Sequence, residues 1–233
     1  MIKRQYTKTL ELIERRRFQL LLLATVMVLV LPAFSGSGLL SEILFVVSMS
    51  FLFIQSMVAA NVSKSKKRMI RIMIISLILL IWLKPAGIDS IFLDVLKLSS
   101  FVVFFISVIV YLVKYIRKTE SVNLNVLITS VNIYLLAGIA GASLTFIFYL
   151  IFPDAYIFPA HIGEPIFVNF LYYSFITMST VGYGDITPRI PETQTLAYLI
   201  SISGQLYVAI IIGFLVGKLL MTPDRNRERE KDV

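Results

Sequence analysis

The sequence predicts an all-α membrane protein with six transmembrane helices and one further short apolar helix before the last of them. Apolar residues make up 58% of the chain, whereas soluble domains contain about 45–50%. Apolar stretches recur along the chain at lengths near the roughly 20 residues that cross a hydrocarbon core. Basic residues gather at the ends of these stretches, which is typical of membrane proteins.

Polar or turn-forming segments separate the six predicted spans. The first and third spans are short for a core of about 30 Å, and Pro32 is expected to break the last turn of the first. Residues 1–17 are basic and are expected to form a cytoplasmic amphipathic segment. A cluster that sets the orientation of the first span is the favoured interpretation, and a patch that contacts anionic lipid is the alternative. The predicted spans are residues 18–34, 39–62, 69–83, 91–113, 126–152 and 193–220.

The connecting segments fall into two groups that alternate along the chain. The start, residues 63–71, residues 114–118 and the tail are basic, and the remaining connections are not. Because positive loops stay on the cytoplasmic side, both termini are predicted to be cytoplasmic and residues 153–192 extracellular. We expect a multi-pass plasma-membrane protein of a prokaryote.

Composition excludes several classes of function. The chain has no cysteine and one histidine, His161, so disulfides, thiolate metal sites and a histidine metal cluster are ruled out. The net charge of +8 lies at the span ends, which speaks against nucleic acid as a partner. The spans carry no nucleophile–base pair, and we expect neither an enzyme nor a cofactor.

One motif stands between the short apolar helix and the last span. It reads Thr180-Val181-Gly182-Tyr183-Gly184-Asp185. This hexapeptide resembles the selectivity filter of potassium channels, in which backbone carbonyls replace the hydration shell of the ion. The resemblance implies that carbonyls of residues 180–183 and the Thr180 hydroxyl bind potassium. Aligning carbonyls requires unusual φ and ψ values, which glycine adopts cheaply.

The chain therefore resembles the six-span potassium channels, with the specific part of the likeness over residues 126–220. The resemblance implies a four-helix, voltage-sensor-like domain over residues 18–118 and a linker over 119–125. The implied pore domain has an outer helix (126–152), a re-entrant pore helix (166–179), the filter (180–185) and an inner helix (193–220). Residues 221–233 form a cytoplasmic tail.

The resemblance also implies side chains that support the filter. They are Tyr172, Tyr173, Thr177 and Asp185. Tyr173 is the expected partner of Tyr183. Ile176 stands where some family members carry a glutamate that bonds the filter aspartate, so that bond is expected to be missing.

Several glycines lie inside predicted spans, where each costs about 1 kcal/mol relative to alanine. Gly204 stands where similar channels have a gating hinge, and close packing is an equally weighted alternative. Gly138 and Gly141 are expected to permit close helix contact. Gly213 and Gly217 are interpreted first as packing residues and second as a widening of the inner mouth.

The motif occurs once, so closing a ring of carbonyls requires three identical partner subunits.

A steep voltage sensor uses about 3–4 charges per subunit, but the fourth span holds one basic residue, Lys97, three residues from Asp94. We expect little or no voltage gating. The channel is expected to be either a leak-like pore or one that a partner, a lipid or pH gates, and His161 is more readily interpreted as an incidental loop residue than as the group that senses pH. The alternatives are a non-selective cation channel and a non-conducting membrane scaffold.

Overall fold

The computed structural model describes residues 2–34, 39–60, 64–83, 87, 90–119, 122–160, 162 and 166–220. Seven α-helices lie in these ranges. They are α1 (Ile2–Phe34), α2 (Leu39–Ala60), α3 (Lys64–Trp82), α4 (Ile91–Lys118), α5 (Leu124–Ile151), α6 (Phe167–Met178) and α7 (Pro191–Leu220). The predicted tail 221–233 and His161 lie outside the described residues.

The helices reproduce the predicted spans with shifts at their ends. Four of them, α2, α4, α5 and α7, are long and apolar enough to cross a membrane, and part of α3 and all of α6 are shorter apolar helices. The count of six spans therefore stays a prediction. Two short strands, β1 (Tyr156–Ile157) and β2 (Thr187–Pro188), were not predicted.

Helix α1 departs from the prediction at its start and at Pro32. Residues 2–17 continue directly into the predicted first span, so the two form one helix of 33 residues. The expected break at Pro32 is wrong, because the helix continues to Phe34. Proline at this position sacrifices only one hydrogen bond near a helix end, and the Pro32 carbonyl accepts a hydrogen bond from the Ser41 hydroxyl at 3.2 Å.

The first four helices pack around an aromatic core. The ring of Phe53 on α2 lies 5.0 Å from that of Phe104 and 5.3 Å from that of Phe101, both on α4. All three side chains are buried. Such pairs add to the stability that apolar burial provides, so α2 and α4 are held together by large, rigid side chains.

Helices α1–α4 contact the rest of the chain at many points, above all between α4 and α5, and three polar or aromatic contacts illustrate the attachment. The Asn132 amide of α5 donates to the Phe18 carbonyl of α1 at 2.9 Å. The Lys218 ammonium of α7 donates to the Ile116 carbonyl of α4 at 3.4 Å. The rings of Phe45 on α2 and Phe167 on α6 lie 5.3 Å apart. The two halves therefore share contacts from one end of the helices to the other.

Candidate ion-conducting site

Helix α6 is seated on α5 by two glycines. A methyl group at position 138 would collide with the Phe175 ring, and one at position 141 would lie 2.6 Å from the Ser174 hydroxyl oxygen. The Ser174 hydroxyl also donates to the Gly138 carbonyl at 2.8 Å. The predicted close contact at Gly138 and Gly141 is therefore confirmed, and its partner is α6.

The segment that carries α6 and the motif is closed at its base. Strands β1 and β2 pair antiparallel, with Tyr156 opposite Pro188. The Ala155 carbonyl accepts from the Arg189 amide at 2.8 Å and from the Thr193 hydroxyl at 3.0 Å. The segment that contains α6 and the motif thus begins after the end of α5 and ends at the start of α7, and its two ends lie side by side.

The backbone of the motif alternates in conformation. Positive φ values occur at Thr180 (62°), Gly182 (50°) and Gly184 (77°). Val181 and Tyr183 between them do not share this feature. An alternation of φ sign turns successive carbonyls toward one side, whereas an ordinary strand points them to opposite sides. The predicted unusual φ at Gly182 and Gly184 is confirmed.

Thr180 was not expected to share this conformation. A β-branched residue at positive φ is a genuine outlier, and such strain persists only where the surroundings impose it. Here the Thr180 amide donates to the Thr177 carbonyl at 3.0 Å, and its hydroxyl donates to the Ser179 carbonyl at 2.6 Å. The Gly182 amide donates to the Ile176 carbonyl at 3.1 Å. The last turn of α6 therefore anchors the first half of the motif.

Asp185 at the end of the motif is held by Tyr172. The tyrosine hydroxyl donates to the Oδ2 atom of Asp185 at 2.5 Å. A carboxylate was expected to be missing at Ile176, and the tyrosine four residues earlier provides a hydrogen bond to Asp185 in its place. This hydrogen bond is the main reason that the pKa of Tyr172 is raised to about 12, so the phenol remains a donor at physiological pH.

Within the chain, Tyr173 contacts a different aromatic residue from the predicted one. Its side chain is 2% exposed, and its ring makes an edge contact with Tyr156 at 5.4 Å. Tyr183, in contrast, is 74% exposed in the single chain. The pairing of Tyr173 with Tyr183 stays a prediction. Tyr172, which lies on the exposed side of α6, is the aromatic neighbour of the motif.

Tyr156 itself joins the closed base of the insert to α6. Its ring also lies 5.8 Å from that of Phe170, which is fully buried. Burial, together with the neighbouring Tyr173, raises the pKa of the Tyr156 hydroxyl. Sequence reasoning missed this residue, because nothing in its neighbourhood distinguishes it from an ordinary loop aromatic.

Gly204 on α7 lies against the end of α6. A methyl group there would collide with the Met178 carbonyl oxygen and lie 2.5 Å from its Cγ. Helix α7 runs through this position without interruption. The contact supports the packing alternative, while hinge bending at Gly204 stays a prediction. One turn later, the Tyr207 hydroxyl donates to the Ser130 carbonyl of α5 at 2.6 Å.

Beyond this attachment, α7 is largely uncovered. Its most apolar stretch is 11% buried within the chain, against 50% for α5. A methyl group at Gly213 or Gly217 would meet nothing within 4 Å, so the expected packing at these glycines is not made within the chain. The motif residue Val181 is 52% exposed on the same open side.

Helix α4 carries the ion pair that its sequence predicts. The Lys97 ammonium and the Asp94 carboxylate form a salt bridge one turn apart. This pair lies near the start of α4, and the remaining basic residues of the helix, Lys114, Arg117 and Lys118, lie in its last two turns. Within the described part of the chain, no cluster of three or more carboxylate, thiol or imidazole groups could hold a metal ion.

Residues 134–220 match the model of a protein family described as "Ion channel". The match covers most of α5, the whole insert with the motif, and α7 up to its last residue. It indicates an ion-channel domain in this part of the chain. Searches of curated proteins and of solved structures gave no significant match.

Proposed function

We propose that the protein is a potassium-selective channel that conducts passively as a homotetramer. The observation that carries this proposal is the motif Thr-Val-Gly-Tyr-Gly on a backbone with positive φ at every second residue. If the carbonyls of these five consecutive residues face one side, they suit a dehydrated monovalent cation. Thr180, Val181, Gly182, Tyr183 and Gly184 would form the ion sites, with the Thr180 hydroxyl at one end.

The surroundings suit the entry of a cation. Helix α6 ends at the start of the motif, and the C-terminus of a helix carries a partial negative charge of about half an electron. Four such ends around an axis add up, and the low dielectric constant of a membrane strengthens their effect. The Tyr172–Asp185 hydrogen bond would fix the other end of the motif.

The tetramer follows from the single copy of the motif. One chain supplies one side of a carbonyl ring, so four chains must surround the axis. The open face of α7 and the exposed side chains of Val181 and Tyr183 support this arrangement. Contacts with neighbouring subunits would cover them.

We further propose that the channel is weakly voltage dependent or not at all. Asp94 and Lys97 neutralise each other, and the intervening stretch of α4 up to Tyr111 holds no charge. The charge distribution further supports cytoplasmic termini and an extracellular motif, and we propose the plasma membrane of a prokaryote as the location.

The test is ion flux from purified protein in liposomes. Potassium flux should exceed sodium flux by a large factor, and cross-linking should reveal four subunits. Equal fluxes of the two ions would contradict selectivity and favour a non-selective cation channel. The absence of any flux from protein that forms tetramers would favour a membrane scaffold.

A further inference from the structure

Gln205 places a carboxamide in the middle of α7, at the start of its apolar second half. From Leu206 to Gly217 the helix has no polar side chain except that of Tyr207, whose hydroxyl bonds to α5. Gln205 is exposed in the single chain. An amide that faces hydrocarbon without a partner is costly, and polar residues at this depth face a bundle interior or a water-filled cavity. We therefore expect the Gln205 side chain, although exposed in the single chain, not to face lipid.

The side chain of Gln205 lies under the first residue of the motif. Its Nε2 atom is 3.5 Å from the Thr180 hydroxyl oxygen. Because that hydroxyl donates its proton to the Ser179 carbonyl at 2.6 Å, its oxygen is left as an acceptor for the amide. The adjacent Gly204 packs closely on the Met178 backbone at the end of α6, and this contact fixes the position of α7 relative to the motif. Gln205 is thus held in place by the backbone next to it.

We propose that Gln205 is an ion-binding and positioning residue at the inner entrance of the motif. In the tetramer, four Gln205 carboxamides would surround a hydrated monovalent cation directly below Thr180. The amide oxygen can accept from the water shell of the cation, while the amide N–H groups orient the Thr180 hydroxyl. This inference rests on the proposed function, because only a fourfold pore brings the four amides together.

The experiment compares single-channel conductance of wild-type tetramers with that of three variants over a range of potassium concentrations. Gln205→Leu removes the polar group at similar size. It should raise the potassium concentration for half-maximal conductance about tenfold, because the four amides that contact the water shell of the cation are lost together. Gln194→Leu is the matched control. Gln194 is an exposed glutamine near the start of the same helix, with its Nε2 atom 3.4 Å from the Arg189 carbonyl oxygen, and its variant should conduct like wild type.

Gln205→Glu provides a second arm with nearly the same shape. A ring of four carboxylates should concentrate divalent cations and lower the cytoplasmic Mg²⁺ concentration that blocks half of the current by about tenfold. This arm decides the question if the leucine variant fails to assemble.

The outcomes separate the two proposals. If wild type carries potassium selectively and both Gln205 variants match it in potassium saturation and in Mg²⁺ block, the role of Gln205 is refuted while the proposed function stands. If wild type itself does not conduct, the proposed function fails and the inference falls with it. A change in Gln205→Leu that Gln194→Leu reproduces also refutes a specific role for Gln205.

Discussion

Replacing Gly204 by alanine separates close packing from hinge bending. The added methyl group would collide with the carbonyl oxygen of Met178 and lie 3.0 Å from its carbonyl carbon. These are backbone atoms at the end of α6, so they cannot rotate away as a side chain can. Alanine gains about 1 kcal/mol of helix propensity, and overpacking costs about 1–3 kcal/mol. Since the obstacle is rigid, we expect the upper end of that cost and a net loss of about 2 kcal/mol of unfolding free energy.

Gly213→Ala is the matched control on the same helix. A methyl group there meets nothing within 4 Å in the chain, so alanine should stabilise the protein by about 1 kcal/mol. The two variants should therefore differ by about 3 kcal/mol in unfolding free energy.

The assay is reversible unfolding of purified protein in mixed detergent micelles, followed by circular dichroism. Equal or greater stability of Gly204→Ala relative to wild type would refute the packing argument. A hinge without close packing would instead leave only the gain of about 1 kcal/mol in helix propensity and would alter the fraction of time that single channels are open. Recording both quantities on the same preparations distinguishes the two roles.

Three further predictions concern the motif and α4. Tyr172→Phe removes the hydrogen bond to Asp185 and should lower the free energy of unfolding by about 1 kcal/mol. Tyr198 has an exposed side chain on α7, and Tyr198→Phe should leave the free energy of unfolding unchanged. Because the pKa of Tyr172 is raised to about 12, the contribution of this bond should be complete below pH ~10 and be lost toward pH 12; a loss near neutral pH would contradict it. Gly182→Ala should abolish selective potassium flux by straining a residue at positive φ, whereas Gly87→Ala imposes similar strain outside the motif and should leave flux intact. Conductance in symmetric potassium should vary little between −100 and +100 mV. A charge that moved across the membrane would contribute about 2.3 kcal/mol per 100 mV to gating, so a steep conductance–voltage curve would show that charges outside the Asp94–Lys97 pair move.

Local residue pattern accounts for the parts of the fold that the sequence predicted well. Apolar length specifies α2, α4, α5 and α7, and the spacing of Asp94 and Lys97 specifies their pairing, since residues three apart share a helix face. The need for positive φ at Gly182 and Gly184 follows from the motif alone. Where the pattern was weaker, the outcome differed from the prediction: α1 begins before the predicted first span, and Pro32 does not break it.

The partners of individual side chains required the tertiary structure. Both Tyr172 and Tyr173 are aromatic residues on a short helix, and only the path of the chain through β1 decides which one is buried against Tyr156. Likewise, Gly204 is adjacent to Met178 only because α7 returns beside the end of α6. Gln205 carried a sequence signal, an amide within an apolar span, but its neighbour Thr180 lies 25 residues away in the chain.

The sequence by itself determined the chemistry of the motif and the membrane-helix pattern, because backbone preference and hydropathy are properties of short segments. Only the tertiary structure decided what supports the motif, because those contacts join residues of α5, α6 and α7 that are far apart in the chain. The strained φ of Thr180 belongs to this second group. Hydrogen bonds to the last turn of α6 impose it, and no local preference of threonine would have predicted it.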